Sequence, residues 1–150
     1  MESNIEGYYE NPWTYQGSTF SSDDIAGQFG FVYRITNLQS GKQYIGRKYF
    51  VQKRKPRNSR RKRTSESNWK TYYGSSKELT EDRKLLGSEY FKREILSTHG
   101  TAGQVNFEET RQLFLNNVLT ERLTDNTPAY YNSNILGRYY KKDYYDANFS

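Results

Sequence analysis

Two alternating stretches carry the clearest periodicity in the chain. From Gly30 to Thr36, the residues Phe31, Tyr33 and Ile35 alternate with Val32 and Arg34. Such a period of two predicts a strand with the first three on one face. Over residues 42–50, Tyr44, Gly46, Lys48 and Phe50 alternate with Ile45, Arg47 and Tyr49, which predicts a second strand. Asn37-Leu38-Gln39-Ser40-Gly41 between them reads as a turn, so the pair forms a hairpin. If Thr36 pairs with Gly41 around a four-residue loop, Tyr33 falls opposite Tyr44, with both rings on one face. A slip of one residue would send them to opposite faces.

The remaining chain is read more coarsely. Residues 1–28 form a polar arm with a short helix from Ser22 to Ala26, and Trp13, Tyr15 and Phe20 are placed to pin it to the body. Trp69 to Gly74 reads as extended. Ser75 or Ser76 then caps a helix running to about Leu86, which Gly87 ends. A helical turn from Ser88 leads into a strand over Phe91 to Leu96, and Thr98 to Gly103 is a turn-rich link. Phe107 to about Leu119 reads as a helix with Phe107, Leu113, Phe114 and Val118 near one face. Thr127-Pro128 breaks the chain, and residues 137–150 form a tail rich in Tyr, Asn and Lys. The fold class expected is α/β (α+β): a small, mainly antiparallel three-stranded sheet flanked by helices, as one domain over residues 29–136.

Composition narrows the chemistry. The chain has no cysteine and one histidine, His99, which excludes disulfides, thiolate sites and multi-histidine metal sites. Trp13, Trp69 and many Tyr and Phe residues must build the core, so phenol hydroxyls will crowd its margin. The net charge of +6 favours a polyanionic partner. That charge is concentrated: from Arg47 to Arg63 there are ten basic residues and no acid. Pro56 opposes a continuous helix here. Residues 51–68 therefore read as a long, mobile, basic insertion. Arg47, Lys53, Lys55, Arg57, Arg60, Arg61, Lys62 and Arg63 are the expected contacts to a nucleic-acid backbone.

Gly30-Phe31-Val32-Tyr33, followed eleven residues after its tyrosine by Tyr44-Ile45-Gly46, resembles the signature of the GIY-YIG endonucleases. The first triplet departs from the pattern, with Phe-Val for Gly-Ile. The segment Trp69-Lys70-Thr71-Tyr72-Tyr73-Gly74-Ser75-Ser76 and the basic insertion are most similar to phage-type members. The resemblance spans roughly residues 30 to 135. It implies a metal-dependent DNA endonuclease with both tyrosines on the hairpin. Arg54, ten residues after Tyr44, keeps the spacing of the family arginine, while Arg83 keeps its place on a helix. Glu109 stands where a metal-binding glutamate is expected, with Glu108 beside it as the alternative. Asn132 resembles the asparagine near the family's C-terminal end.

Each residue then has a chemical reason. Phosphodiester hydrolysis needs an activated water and charge relief on the phosphoryl oxygens. Tyr33, with an ordinary pKa near 10, would be the general base once cations lower it. Tyr44 would orient water or phosphate, and Lys48 on the same face is the nearest candidate cation. Arg54 offers a planar fork for phosphate. Glu109 would hold one Mg²⁺, with Mn²⁺ as a substitute. Asn132 would bind phosphate or fix Tyr33. The expected partner is DNA, with a homodimer or partner protein needed for cutting both strands at once. No apolar run is long enough for a membrane, and the first residues lack a basic-then-apolar leader. The expected location is cytoplasmic, in the host cytoplasm if the protein is phage-encoded. Two rival readings use the same scaffold: a non-catalytic nucleic-acid-binding module, and a protein-interaction factor such as an inhibitor or host-takeover protein.

Overall fold

The computed structural model describes residues 9–54 and 63–145, with only the backbone of Arg54 and Arg63. Its centre is an antiparallel pair, β3 (Gly30–Asn37) and β4 (Gln43–Tyr49), with β7 (Phe91–His99) antiparallel on the other side of β3. These are the three strands expected from sequence. Two more join them from the N-terminal arm. The strands β1 (Thr14–Tyr15) and β2 (Ser18–Thr19) form a small hairpin, and β1 runs parallel to β7. The sheet order is β2-β1-β7-β3-β4.

Alternation on β3 divides the core in two. Phe31, Tyr33 and Ile35 pack with Trp13, Phe20, Phe50, Trp69 and Leu79 on one face. Val32 and Ile45 pack with Val105, Leu113 and Val118 on the other. Rings dominate the first face. Trp13, with no exposed surface, meets Phe31 and Tyr33 edge-on at 5.1 and 5.0 Å between centroids. Trp13 and Phe20 are core residues, and with the partly buried Tyr15 they pin the arm as expected. Arg93 is buried in this layer, its guanidinium 4.7 Å from the Trp13 centroid and donating to the carbonyls of Asn11 and Tyr72.

Helix α1 (Lys77–Leu86) covers the aromatic face with Leu79. Ser76 caps its start by accepting from the Leu79 amide, and Gly87, at a φ of +106°, ends it. Helix α2 (Ala102–Leu115) covers the other face. It starts five residues before the expected Phe107 because Thr101 supplies the cap, accepting from the Gln104 amide. Its buried positions are Val105 and Leu113, while Phe107 and Phe114 are exposed, so the apolar face read from sequence is corrected.

Three other readings are corrected. The stretch from Trp69 begins with a 3₁₀ turn over Trp69–Thr71 instead of an extended run. The strand read as ending at Leu96 continues to His99, shortening the link before α2. The ends of the basic insertion are paired strands, β5 (Val51–Arg54) and β6 (Arg63–Glu66), where a loop was expected. The intervening Lys55, Arg57, Arg60, Arg61 and Lys62 lie outside the described residues.

The hairpin register also differs from expectation. Tyr33 pairs with Gly46, and Tyr44 pairs with Ile35, a shift of two residues. Asn37 is the reason: its amide bonds the Lys42 carbonyl and its side chain accepts from the Gln39 amide, so it extends β3 by one residue and the turn moves on to residues 38–41. A shift of two preserves faces. The two rings remain neighbours, diagonally, at 6.2 Å between centroids.

The free edge of β4 is closed by the chain after Pro128. Gln43 exchanges backbone bonds with Ala129 and Tyr131. The Asn132 side chain then pairs with Ile45 as a peptide group would, Oδ1 accepting from the amide at 3.1 Å and Nδ2 donating to the carbonyl at 2.8 Å. A last hairpin, β8 (Asn134–Ile135) with β9 (Tyr139–Tyr140), and α3 (Lys142–Tyr145) follow. Among the described residues no helix is long and apolar enough to cross a membrane.

Candidate active site

The closed edge of β4 borders a recess of about 600 Å³. Strand β4 contributes Tyr44 and Arg47, α2 contributes Glu109, and the closing segment contributes Asn132. The start of α1 contributes Ser75, Ser76, Lys77 and Glu78. Lys141 comes from the C-terminal hairpin. A capped helix start presents free amides and the positive end of its dipole, a surface suited to phosphate oxygens.

Glu109 faces this recess and its neighbour does not. Its Oε1 lies 3.2 Å from Arg47 Nε. Burial pushes its carboxyl above the ordinary range, while Arg47 pulls the other way. Glu108 turns aside to a two-pronged pair with Arg111 and a bond from Gln112, and the arginine holds its carboxyl low. Residues 108 and 109 stand about 100° apart on the helix, which is why one alone reaches the recess.

The two tyrosines differ in access. Tyr44 lines the recess and its hydroxyl lies 3.2 Å from Ser75 Oγ. Tyr33 is 1% exposed and lies behind Tyr44, meeting Tyr72 edge-on at 6.2 Å between centroids. Burial raises both phenols, Tyr33 the more strongly, so both are neutral near pH 7 in the free protein. Glycines make this stacking possible. A Cβ at Gly46 would sit 2.5 Å from the Tyr33 hydroxyl, and one at Gly74 would sit 3.0 Å from the Tyr44 ring. The glycine of the second triplet is thus a space-making residue between the tyrosines.

Other sequence-stated residues lie elsewhere. Lys48 shares the face of Tyr44 but reaches away from the recess, its ammonium 4.2 Å over the Tyr72 ring. Burial lowers its pKa. Arg83 packs over the Tyr73 ring and donates to Ser88, facing a different depression. Arg54 ends β5, and its side chain lies outside the described residues. Asn132 reaches the recess rim, but both its polar ends are used on Ile45. His99 pairs with Ser97 outside the recess.

Sequence reasoning assigned Arg47 to a general basic surface and missed its place beside Glu109. Lys141, in the tail rich in Tyr, Asn and Lys, also lines the recess. Lys141 donates to the Tyr130 carbonyl, and burial and Lys42 lower its pKa. The Tyr-Tyr-Gly-Ser-Ser stretch was the available signal for Tyr72 and Ser75. Nothing in spacing marks Arg47 over its basic neighbours.

Among the described residues no group of three or more His, Cys, Asp or Glu side chains is arranged to hold a metal ion. A hard cation here would rest on Glu109 and keep most of its water, the habit of magnesium. No curated protein and no solved structure matches the chain significantly. A family model described as "Putative endonuclease segE, GIY-YIG domain" matches residues 13–135, a span that contains Tyr33, Tyr44, Arg47 and Glu109. With the hairpin tyrosines, the glycine between them and the helix glutamate at one edge of the sheet, the chain belongs to the GIY-YIG endonuclease domain family.

Proposed function

We propose that this protein is a metal-dependent DNA endonuclease that hydrolyses phosphodiester bonds in the recess at the β4 edge. The observation that carries this reading is the convergence of Tyr44, Arg47 and Glu109 on one recess, with the Arg47–Glu109 contact at 3.2 Å.

Glu109 would hold one Mg²⁺, or Mn²⁺ in its place. The donor fits: the Glu109 carboxylate lines the recess, and burial leaves its charge short of solvent. When bound, such an ion neutralises charge on phosphoryl oxygens and makes water more acidic. Arg47 offers its planar fork to a phosphoryl oxygen. It takes the part that the resemblance gives to Arg54, because its guanidinium borders the recess. The α1 amides and Lys77 orient the phosphate backbone by dipole and charge.

Tyr44, exposed to the recess and neutral, orients the attacking water or a phosphoryl oxygen by hydrogen bonding. The resemblance makes Tyr33 the base. Its burial behind Tyr44 supports a different division of labour, in which Tyr33 fixes the Tyr44 ring. Asn132 acts on the backbone, holding β4 in place. One such site engages one strand at a time, so cutting both requires a second copy or rebinding.

The test is cleavage of supercoiled plasmid with Mg²⁺ by the native protein, Tyr44→Phe and Glu109→Gln. Nicked circles from the native protein, and none from either variant while binding persists, support the reading. Binding without nicking by the native protein across Mg²⁺ and Mn²⁺ defeats it in favour of a non-catalytic module.

A further inference from the structure

A second recess of about 740 Å³ lies beyond Arg47, between the end of β4 and the β5–β6 hairpin. Its charged lining is Arg47, Lys48 and Lys53, with no carboxylate. Arg47 borders both recesses. Among the described residues neither Lys48 nor Lys53 forms an ion pair. The rings here hold cations in place: Lys48 sits over Tyr72 at 4.2 Å and Arg47 over Tyr49 at 5.5 Å. Phe29 meets Tyr49 edge-on at 4.8 Å. A cation already lies over Tyr72 and another over Tyr49, which disfavours base stacking there. What remains open to a ligand is a cluster of positive groups in a partly desolvated hollow.

We propose that this recess is a phosphate subsite for the DNA strand on one side of the cut, entered over Arg47. The inference rests on the nuclease reading above and adds a direction to it. A strand crossing the β4 edge meets Arg47 first, then Lys48 and Lys53. On the opposite side of the reactive recess Lys77 and Lys141 share the lining with Glu78, and Lys141 is held by the Tyr130 carbonyl, so the carboxylate-free cluster lies on the Arg47 side. The grip is therefore one-sided, and its chemistry is that of a backbone phosphodiester read by charge and not by base.

Two measurements test it. The first is the salt dependence of binding to a short DNA duplex, followed by fluorescence anisotropy with native protein, Lys53→Gln, and Lys84→Gln as a control from the exposed side of α1. Loss of one phosphate contact lowers the slope of log K against log salt by about 0.9. That drop is expected for Lys53→Gln and not for Lys84→Gln. Lys53 is exposed, so its removal leaves the core intact. The second is cleavage of duplexes carrying one neutral methylphosphonate at successive positions around the mapped cut. Native protein is expected to lose rate at a position on one side only, and Lys53→Gln to be insensitive at that position. A native salt slope for Lys53→Gln, or identical position profiles for the two proteins, overturns the subsite. If the native protein cuts nothing while the slope falls, the nuclease reading fails and the phosphate subsite stands.

Discussion

Arg47 Nε lies 3.2 Å from Glu109 Oε1, joining β4 to α2 beside the recess. The pair is lopsided, because Glu109 is the more buried partner, at 23% side-chain exposure against 41%. Desolvation outweighs the arginine and raises the carboxyl pKa above its ordinary 4.5. A raised carboxylate pKa means that the native state holds the proton more tightly than the unfolded chain. Its stabilising contribution is full below the ordinary glutamate range and is lost as pH climbs through the raised value. Thermal denaturation across that range should show native protein losing stability relative to Glu109→Gln as pH rises to neutrality. A constant difference, or one of opposite sign, would sink this account of the carboxylate.

Arg47 should matter to rate more than to folding. Removing one preorganised donor to a transition-state oxygen costs on the order of 10²–10³ in kcat. Arg47→Ala is expected to lose that much single-turnover cleavage, with Arg47→Lys recovering part, since an ammonium keeps the charge without the fork. Arg83→Ala, on the other side of α1, should retain cleavage. Equal losses for Arg47→Ala and Arg83→Ala would remove Arg47 from the site.

The two tyrosines should separate in the same assay. Tyr44→Phe removes a hydroxyl at the recess and is expected to cost on the order of 10²–10³ in rate. Tyr33→Phe removes a buried hydroxyl that does not line the recess, a change of ~1 kcal/mol, and should cost about tenfold or less. If Tyr33→Phe is the more damaging, Tyr33 is the base and its burial is relieved in the complex.

Much of this was legible because it depends on period and caps. The alternation of Phe31, Tyr33 and Ile35 fixed the faces of β3. Ser76 and Gly87 marked α1, and their reasons are local. The hairpin register was not legible, since Asn37 extends β3 and moves the turn on by one residue, held by a side-chain bond that no periodicity reveals. The start of α2 was missed because Val105 stands alone behind Gly100, Gly103 and Gln104, residues that read as a turn. At the site, Tyr44 and Glu109 could be named from the resemblance. Arg47 could not be distinguished from the other cations of its run, because its role arises from the partner that α2 brings across. Lys141 is reached only through the turn back at Gly137.

Gly46 offers a test of the space between the rings. An added methyl would stand 2.5 Å from the Tyr33 hydroxyl and 2.7 Å from its Cζ, closer than atoms can approach. Tyr33 is enclosed by Trp13 and Phe31, so it has nowhere to go. Overpacking of this kind costs about 1–3 kcal/mol. Gly46→Ala should lower stability by that amount in urea, and should reduce cleavage further by displacing Tyr44. Combining it with Tyr33→Phe relieves the closest contact and should restore part of the stability. An additive double variant would show that the methyl is accommodated elsewhere.

Asn132 should behave as part of the backbone. It both donates to and accepts from Ile45, the buried β4 residue between Tyr44 and Gly46. Asn132→Asp keeps the acceptor but sets a carboxylate oxygen against the Ile45 carbonyl. Leaving a buried polar group unpaired costs about 1–3 kcal/mol, and the added charge makes the upper part of that range the expectation. Because the damage lies in the strand that carries Tyr44 and Arg47, amide exchange at Ile45 should speed up together with the loss of cleavage. An Asn132→Asp protein of native stability and native exchange, but with impaired cleavage, would instead make Asn132 a direct phosphate contact.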